Sequence, residues 1–245
     1  MKEIIAILVI FLVLSSASVT SASELKVTAS TWPPYVDPQL PESGLVINIV
    51  NVALTRAGYM TALTFDTWPR ALEGTKIGIY DVIAGAWYSD ERSEYLAFSQ
   101  PFIINEVKFI KRKGRLIVYN TLEDLRGLVI GIVRDYAYGA EFDNAAYLIK
   151  VPQNHVIQNL NNLFSGRIDL TLADERVARY ELREYMGGDV SELAFLPKPM
   201  SAKGLHIAVS KRRPDHAKIV SDFDSAITAM KKDGTYMEIM KNHGF

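Results

Sequence analysis

The chain has 245 residues, of which 49% are hydrophobic and 22% charged, and its formal net charge is −1. This composition excludes a disordered or fibrous chain, and the length suits one large domain or two lobes of about 100 residues each. The longest basic block, KRKGR at 111–115, is short. We therefore expect no nucleic-acid partner.

The N-terminus has the pattern of a secretory signal peptide. Charged residues precede an apolar run at 4–14, and small and polar residues follow. The pattern predicts a signal peptide over 1–23, and the apolar run is shorter than the roughly 20 residues of a spanning helix. An uncleaved amphitropic helix or a signal anchor is the alternative. Because the chain has no cysteine, it offers neither a disulfide nor a thiol for lipid attachment, and we expect a protein free in the periplasm.

The first half of the chain alternates between strand and helix patterns. Apolar and polar residues alternate, as in strands, at 25–30 and 59–65, and the apolar run at 80–86 predicts a third, buried strand. Helical spacing runs from Gly44 to Gly58, and a shorter helix begins at WPRALEG with Pro69 in its first turn. This βαβ rhythm predicts an α/β fold with a largely parallel sheet.

The same pattern restarts after residue 120. Thr121 is an N-cap candidate with Asp124 three residues later. Further strands are predicted at 128–133, 146–152, 167–174 and 203–210, and further helices at 154–166, after Glu175 and from Pro214. The segments 105–113 and 203–211 are predicted to cross between two lobes and to form a hinge.

A short pattern recurs in the two halves. Gly78 to Asp81 precede one apolar strand, and Gly166 to Asp169 precede another. Ligands of open α/β sheets bind outside the carboxyl ends of the strands, so both strands are expected to direct their last residues towards a site. A chance match of two short stretches is the alternative.

Seven segments together resemble the bacterial extracellular solute-binding proteins of the polar amino acid family, the periplasmic receptors of ABC importers. In chain order they are WPPY after the first strand, the glycine and helix at 44, and the stretches 78–102, 121–132, 162–174, 204–211 and 230–244. The resemblance implies a two-lobed periplasmic binding protein fold of type II. It also implies lobe 1 at 24–108 and 207–245, lobe 2 at 109–206, a small-molecule ligand and an inner-membrane ABC permease as partner. We expect no cofactor or metal, and a monomer is the default because nothing in the sequence marks an interface.

The resemblance also assigns roles to three residues. Arg92 is expected to bind the carboxylate of the ligand, Trp32 to stack on its side chain, and Asp174 to accept its amino group. The planar guanidinium fork of arginine matches a carboxylate bidentately. The alternatives are a surface ion pair of Arg92 with Asp90 or Glu94, and a core position for Trp32.

Seven further residues are candidates for binding the ligand in the same cleft. They are Trp68, Arg70, Gly85, Trp87, Tyr88, Asp135 and Tyr136. For Trp68 and Arg70, a helix start with the tryptophan in the core is the alternative. The chain departs from the family pattern where Asp135 and Tyr136 replace Gly-Thr, and where the segment 44–48 lacks two acidic residues. These changes argue against an ordinary α-amino acid and favour a charged small molecule.

Two other functions remain open from the sequence. One is a sensory or accessory module that binds without import. The other is a dehydratase-like enzyme, for which Arg92, Asp135, Asp174 and Glu175 offer acid–base groups. The four histidines are scattered without metal spacing.

Overall fold

The structure is a computed structural model that describes residues 24–187 and 190–245, so the predicted signal peptide lies outside the described residues. The strands are β1 (Glu24–Ala29), β2 (Met60–Phe65), β3 (Val82–Trp87), β4 (Leu96–Phe98), β5 (Ile103–Arg112), β6 (Val129–Val133), β7 (Ile149–Gln153), β8 (Leu170–Asp174), β9 (Leu193–Phe195) and β10 (Ser201–Ser210). The helices are α1 (Leu45–Arg56), α2 (Trp68–Ile77), α3 (Asp90–Ser93), α4 (Ala140–Asp143), α5 (Val156–Phe164), α6 (Glu175–Met186), α7 (His216–Asp233) and α8 (Thr235–Asn242).

Two parallel three-stranded units are joined by two long antiparallel strands. The strand order is β2-β1-β3-β10-β5-β8-β6-β7, with β4 on β10 and β9 on β5. Strands β1, β2 and β3 are parallel in one lobe, and β6, β7 and β8 in the other. The predicted parallel sheet is therefore present within each lobe. Strands β5 and β10 run antiparallel because the chain leaves the first lobe on one and returns on the other.

Helices cover the sheet of each lobe. Helix α1 buries the side chains of Leu45, Ile49 and Leu54 in the core, and α7 buries that of Phe223. Among the described residues, no helix combines the length and the apolar character that crossing a bilayer requires.

The recurring Gly-x-x-Asp pattern has the same structural role in both lobes. Asp81 Oδ2 accepts the backbone N–H of Lys26 in β1 at 2.8 Å, and Asp169 Oδ2 accepts the backbone N–H of Val129 in β6 at 3.0 Å. The N–H of each aspartate in turn donates to the carbonyl oxygen of the same partner residue, at 2.8 Å in both lobes. In both lobes the aspartate of the pattern therefore joins the segment before one strand to the neighbouring parallel strand by two hydrogen bonds.

Candidate functional site

A small cavity of about 40 Å³ lies between the two lobes. Such a volume accommodates a few water molecules at most. The cavity adjoins the carboxyl ends of β1, β3 and β6, where the fold class predicts ligands. Its lining consists of Ala29, Ser30, Trp32, Val36, Val46, Trp68, Gly85, Trp87, Arg92, Tyr136, Ala137 and Leu205.

Arg92 is the charged residue of this lining, and it is only 4% exposed. Ser89 caps the short helix α3 by accepting the N–H of Arg92 at 3.3 Å. The guanidinium donates from Nη1 to the carbonyl oxygen of Trp87 at 2.7 Å, and from Nη2 to that of Asp135 at 2.5 Å. Its carbon lies 5.1 Å from the ring centre of Trp68, a cation–π distance.

The guanidinium of Arg92 is buried without an acidic partner. Among the described residues no carboxylate oxygen lies within 4.0 Å of it, so the alternative of a surface pair with Asp90 or Glu94 is wrong. Burial lowers the pKa of Arg92, and more distant acids oppose that shift only in part. A buried charge without a counter-ion is costly, and an anion in the cavity removes that cost.

Aromatic rings fill most of the cleft around the arginine. The Trp87 and Tyr136 ring centres are 5.3 Å apart, and Trp68 and Tyr136 meet edge to face at 6.0 Å. Trp32 contacts Trp87 edge to face at 5.7 Å and stacks on Tyr35 at 4.7 Å. Tyr136 of the second lobe therefore lies between two tryptophans of the first, and this ring keeps the cavity small.

Asp174 lies outside the lining of the cavity. It begins α6, where Oδ1 accepts the N–H groups of Arg176 at 2.9 Å and Val177 at 3.3 Å. Oδ2 accepts the Tyr35 hydroxyl at 3.1 Å and the Asn105 amide at 3.2 Å. Burial raises the pKa of Asp174, and these four donors counteract the shift. Its predicted role towards a ligand amino group therefore stays a prediction.

Asn105 connects Asp174 to the cavity. Its Oδ1 accepts the indole N–H of Trp87 at 3.2 Å while its amide donates to Asp174. Sequence reasoning missed this residue, although the signal was present. Asn105 shares the buried face of β5 with Val107 and Phe109, and a polar side chain on such a face requires hydrogen-bond partners.

Two of the predicted site residues lie away from the cavity. The Arg70 side chain is 78% exposed and pairs with Asp66 at 3.3 Å, because two residues along a helix turn it about 200° from Trp68. Tyr88 is 45% exposed and donates to Asp90 at 2.9 Å. It follows Trp87 in extended chain, where neighbouring side chains point in opposite directions.

The remaining predicted residues are brought together. Gly85 lines the cavity, and an added Cβ would lie 3.2 Å from Cγ1 of Val46. Asp135 contributes its backbone carbonyl oxygen, which accepts a hydrogen bond from Arg92 and a second one, of 2.9 Å, from the indole N–H of Trp68. The side chain of Asp135 is exposed. Among the residues that the structure describes, no group of three or more metal-ligating side chains is present.

The chain belongs to the bacterial extracellular solute-binding proteins, family 3, which match it over residues 25–244. It is 26% identical over 215 residues to the ABC transporter arginine-binding protein 1 of Escherichia coli strain K12, covering 86% of each chain. It is 27% identical over 187 residues to the lysine/arginine/ornithine-binding periplasmic protein of the same strain, covering 74% of this chain and 70% of the relative.

Solved structures of the same architecture support the fold. An ancestral arginine-binding protein bound to arginine superposes with a TM-score of 0.78 at 21% identity, covering 92% of this chain and 100% of that one. A histidine kinase sensor domain with similarity to periplasmic binding proteins superposes with a TM-score of 0.79 at 21% identity, covering 91% of this chain and 97% of that one. The fold is thus the two-lobed type II binding protein fold. Family membership makes the chain a solute-binding protein and favours neither the enzyme nor the sensory alternative.

Proposed function

We propose that this protein binds a small carboxylate-bearing solute, an amino acid or a related acid, in the cleft between its lobes and passes it to an ABC permease in the inner membrane. The observation that carries the proposal is the buried guanidinium of Arg92, which has no acidic partner among the described residues. A ligand carboxylate supplies the missing negative charge and matches the planar fork of the guanidinium.

Binding requires that the lobes move. The cavity of about 40 Å³ is too small for an amino acid, and Tyr136 of the second lobe fills the space between Trp68 and Trp87. Opening about β5 and β10 withdraws Tyr136 and the Asp135 carbonyl from Arg92. A ligand that contacts both lobes then stabilises a closed form around itself, because those contacts exist only when the lobes approach.

The cellular setting of the proposal follows the family. The predicted signal peptide over 1–23 supports export to the periplasm, and relatives named as periplasmic and ABC transporter proteins support the permease as partner. We propose lobe 1 at 24–108 and 207–245, lobe 2 at 109–206, and a monomer.

A thermal-shift screen of the purified protein tests the proposal. Amino acids, polyamines and small carboxylic acids are added to the wild type, to Arg92→Ala and to Arg70→Ala. Arg70 is the matched control because it is an exposed arginine of the same lobe. A ligand at 100 times its Kd stabilises the native state by about 2.7 kcal/mol.

We expect at least one carboxylate-bearing compound to raise the melting temperature of the wild type and of Arg70→Ala but not that of Arg92→Ala. An equal response of Arg92→Ala and the wild type contradicts the proposal, and so does a panel in which only compounds without a carboxylate bind. Uptake of the identified compound, compared between cells with and without the protein, then tests delivery to the permease.

A further inference from the structure

A second cation lies on the same face of the hinge as the cleft. Lys203 of β10 is paired directly with Asn105 of β5. Directly opposite residues of an antiparallel pair have their side chains on the same face. Asn105 bonds Trp87 in the cavity lining, and Leu205, two residues beyond Lys203, lines the cavity itself. The face of β10 that carries Lys203 is therefore the cleft face.

The ammonium group of Lys203 lies against the same segment of the second lobe as Arg92. A Cβ added to Gly139 would lie 3.9 Å from Lys203 Nζ. Gly139 ends the turn after β6 whose Asp135 carbonyl accepts from Arg92. The two cations thus face the two ends of one five-residue segment, 135–139, across the cleft.

Lys203 is partly buried and, among the described residues, has no carboxylate within 4.0 Å. Burial lowers the pKa of the Lys203 ammonium, the charge of Arg92 adds to the shift, and Asp143 opposes it. Asp143 is exposed and accepts the N–H of Gly139 at 2.9 Å. Asp174, the buried acid beyond Asn105, is already held by four protein donors.

Arg92 and Lys203 are consequently two cations beside the cleft, and neither has an ion-pair partner within 4.0 Å among the described residues. A ligand with one carboxylate neutralises Arg92 and leaves Lys203 unpaired in a partly desolvated position. A ligand with a cationic side chain would bring like charge towards Lys203, which is unfavourable at low dielectric. A ligand with two acidic groups neutralises both cations.

We propose that the solute is a small dianion, an acidic amino acid or a dicarboxylic acid, whose first carboxylate binds Arg92 and whose second binds Lys203. This inference rests on the proposed function of the Arg92 site and narrows its ligand class. The class differs from the cationic amino acids that the names of the Escherichia coli relatives give for those proteins.

Pairs of isosteric ligands test the second charge directly. Calorimetric titration compares L-glutamate with L-glutamine, L-aspartate with L-asparagine, and both acids with succinate and L-arginine. The variants are Lys203→Gln, Arg92→Ala and Lys232→Gln. Lys232 is the control, an exposed lysine of α7 outside the cleft.

We expect the wild type to bind at least one acid about 10-fold or more tighter than its amide, because charge-assisted hydrogen bonds are roughly twice as strong as neutral ones. Lys203→Gln is expected to remove this preference while it changes the Kd of the amide less than about threefold. Lys232→Gln keeps the preference. Arg92→Ala loses binding of acids and amides alike.

The possible failures are distinguishable. A wild type that prefers an amide or L-arginine, or that binds no dianion at millimolar concentration, overturns the dianion proposal, and so does a Lys203→Gln variant that keeps the wild-type preference. In each case the proposed function survives if Arg92→Ala abolishes binding of the ligand that the wild type prefers. If Arg92→Ala binds that ligand as well as the wild type does, the Arg92 site itself is refuted.

Discussion

The hydroxyl group of Tyr185 donates a hydrogen bond of 2.6 Å to Oδ2 of Asp37, and this bond joins α6 of the second lobe to the loop after β1 in the first. Asp37 is 4% exposed, and its other oxygen accepts the N–H of Gln39 at 2.8 Å. The acceptor is therefore held by its own loop, and separation of the lobes breaks the contact with Tyr185. Ligand affinity should depend on this bond although neither residue lines the cavity.

Tyr185→Phe is predicted to weaken ligand binding about fivefold, because an intramolecular hydrogen bond contributes about 1 kcal/mol and its loss lowers the population of the closed form. Titration calorimetry measures the Kd. Tyr147→Phe is the control, since its hydroxyl bonds Glu123 within the second lobe. An equal effect of both variants on the Kd would argue against a role of Tyr185 in closure.

Trp68→Phe is predicted to shift the ligand-free protein towards the open form, because it removes a bond of about 1 kcal/mol that opening of the lobes also breaks. The variant removes the indole N–H that donates to the Asp135 carbonyl at 2.9 Å but retains an aromatic ring near Arg92. Small-angle scattering of the ligand-free protein should show a larger radius of gyration than the wild type. An unchanged radius of gyration would show that this bond does not hold the lobes together.

Glu181→Gln is predicted to stabilise the protein at pH 8 and to leave it nearly unchanged at pH 5. Burial raises the pKa of Glu181 to about 8, the N–H of Ile157 opposes the shift only in part, and Oε2 has no hydrogen-bond partner. The folded state thus keeps a proton that the unfolded state releases above about pH 4.5, so stability falls as the pH rises from there to the folded pKa of about 8 and levels off above it.

Urea denaturation at pH 5 and pH 8 measures the effect of Glu181→Gln, with an expected gain of roughly 2–4 kcal/mol at pH 8. Glu184→Gln is the control on the same helix, because its side chain is 44% exposed. If the difference between Glu181→Gln and the wild type does not change with pH, Glu181 does not titrate in this range.

Asp81→Asn and Asp169→Asn are predicted to destabilise the protein to a similar extent, about 1–3 kcal/mol each. Each carboxylate accepts a strand N–H and pairs with an arginine, Arg213 at 3.1 Å and Arg115 at 2.6 Å respectively. Denaturant midpoints measure the loss, with the exposed Asp90→Asn as control. If only one of the two variants is destabilised, the two aspartates have the same geometry but do not contribute equally to the free energy of unfolding.

Much of the fold was predictable because its strands and helices are marked locally. The apolar alternation of β1 and β2, the apolar run of β3 and the helical spacing of α1 are properties of short segments, so they can be read without knowledge of the fold. Strands β4 and β9 were not predicted. They have three residues each and pair with the hinge strands, so their formation depends on a distant partner rather than on their own pattern.

The candidate site was predictable in part. Trp32, Trp68, Gly85, Trp87, Arg92 and Tyr136 line one cavity, whereas Arg70 and Tyr88 point away from it. The sequence did not show in which direction these side chains point. Adjacent residues of an extended chain, and residues two apart in a helix, have side chains on opposite sides. Asn105 and Lys203 were missed because they become neighbours only when β5 pairs with β10.

The sequence by itself determined the α/β class, because periodicity is local, and its family motifs singled out Arg92 as the candidate arginine. The tertiary structure alone decided that Arg92 is buried without an acid although Asp90 and Glu94 stand two residues away on either side, and that Lys203 shares the cleft face with it. Burial and ion pairing depend on which groups the fold brings together across the chain, and adjacency in sequence does not determine either.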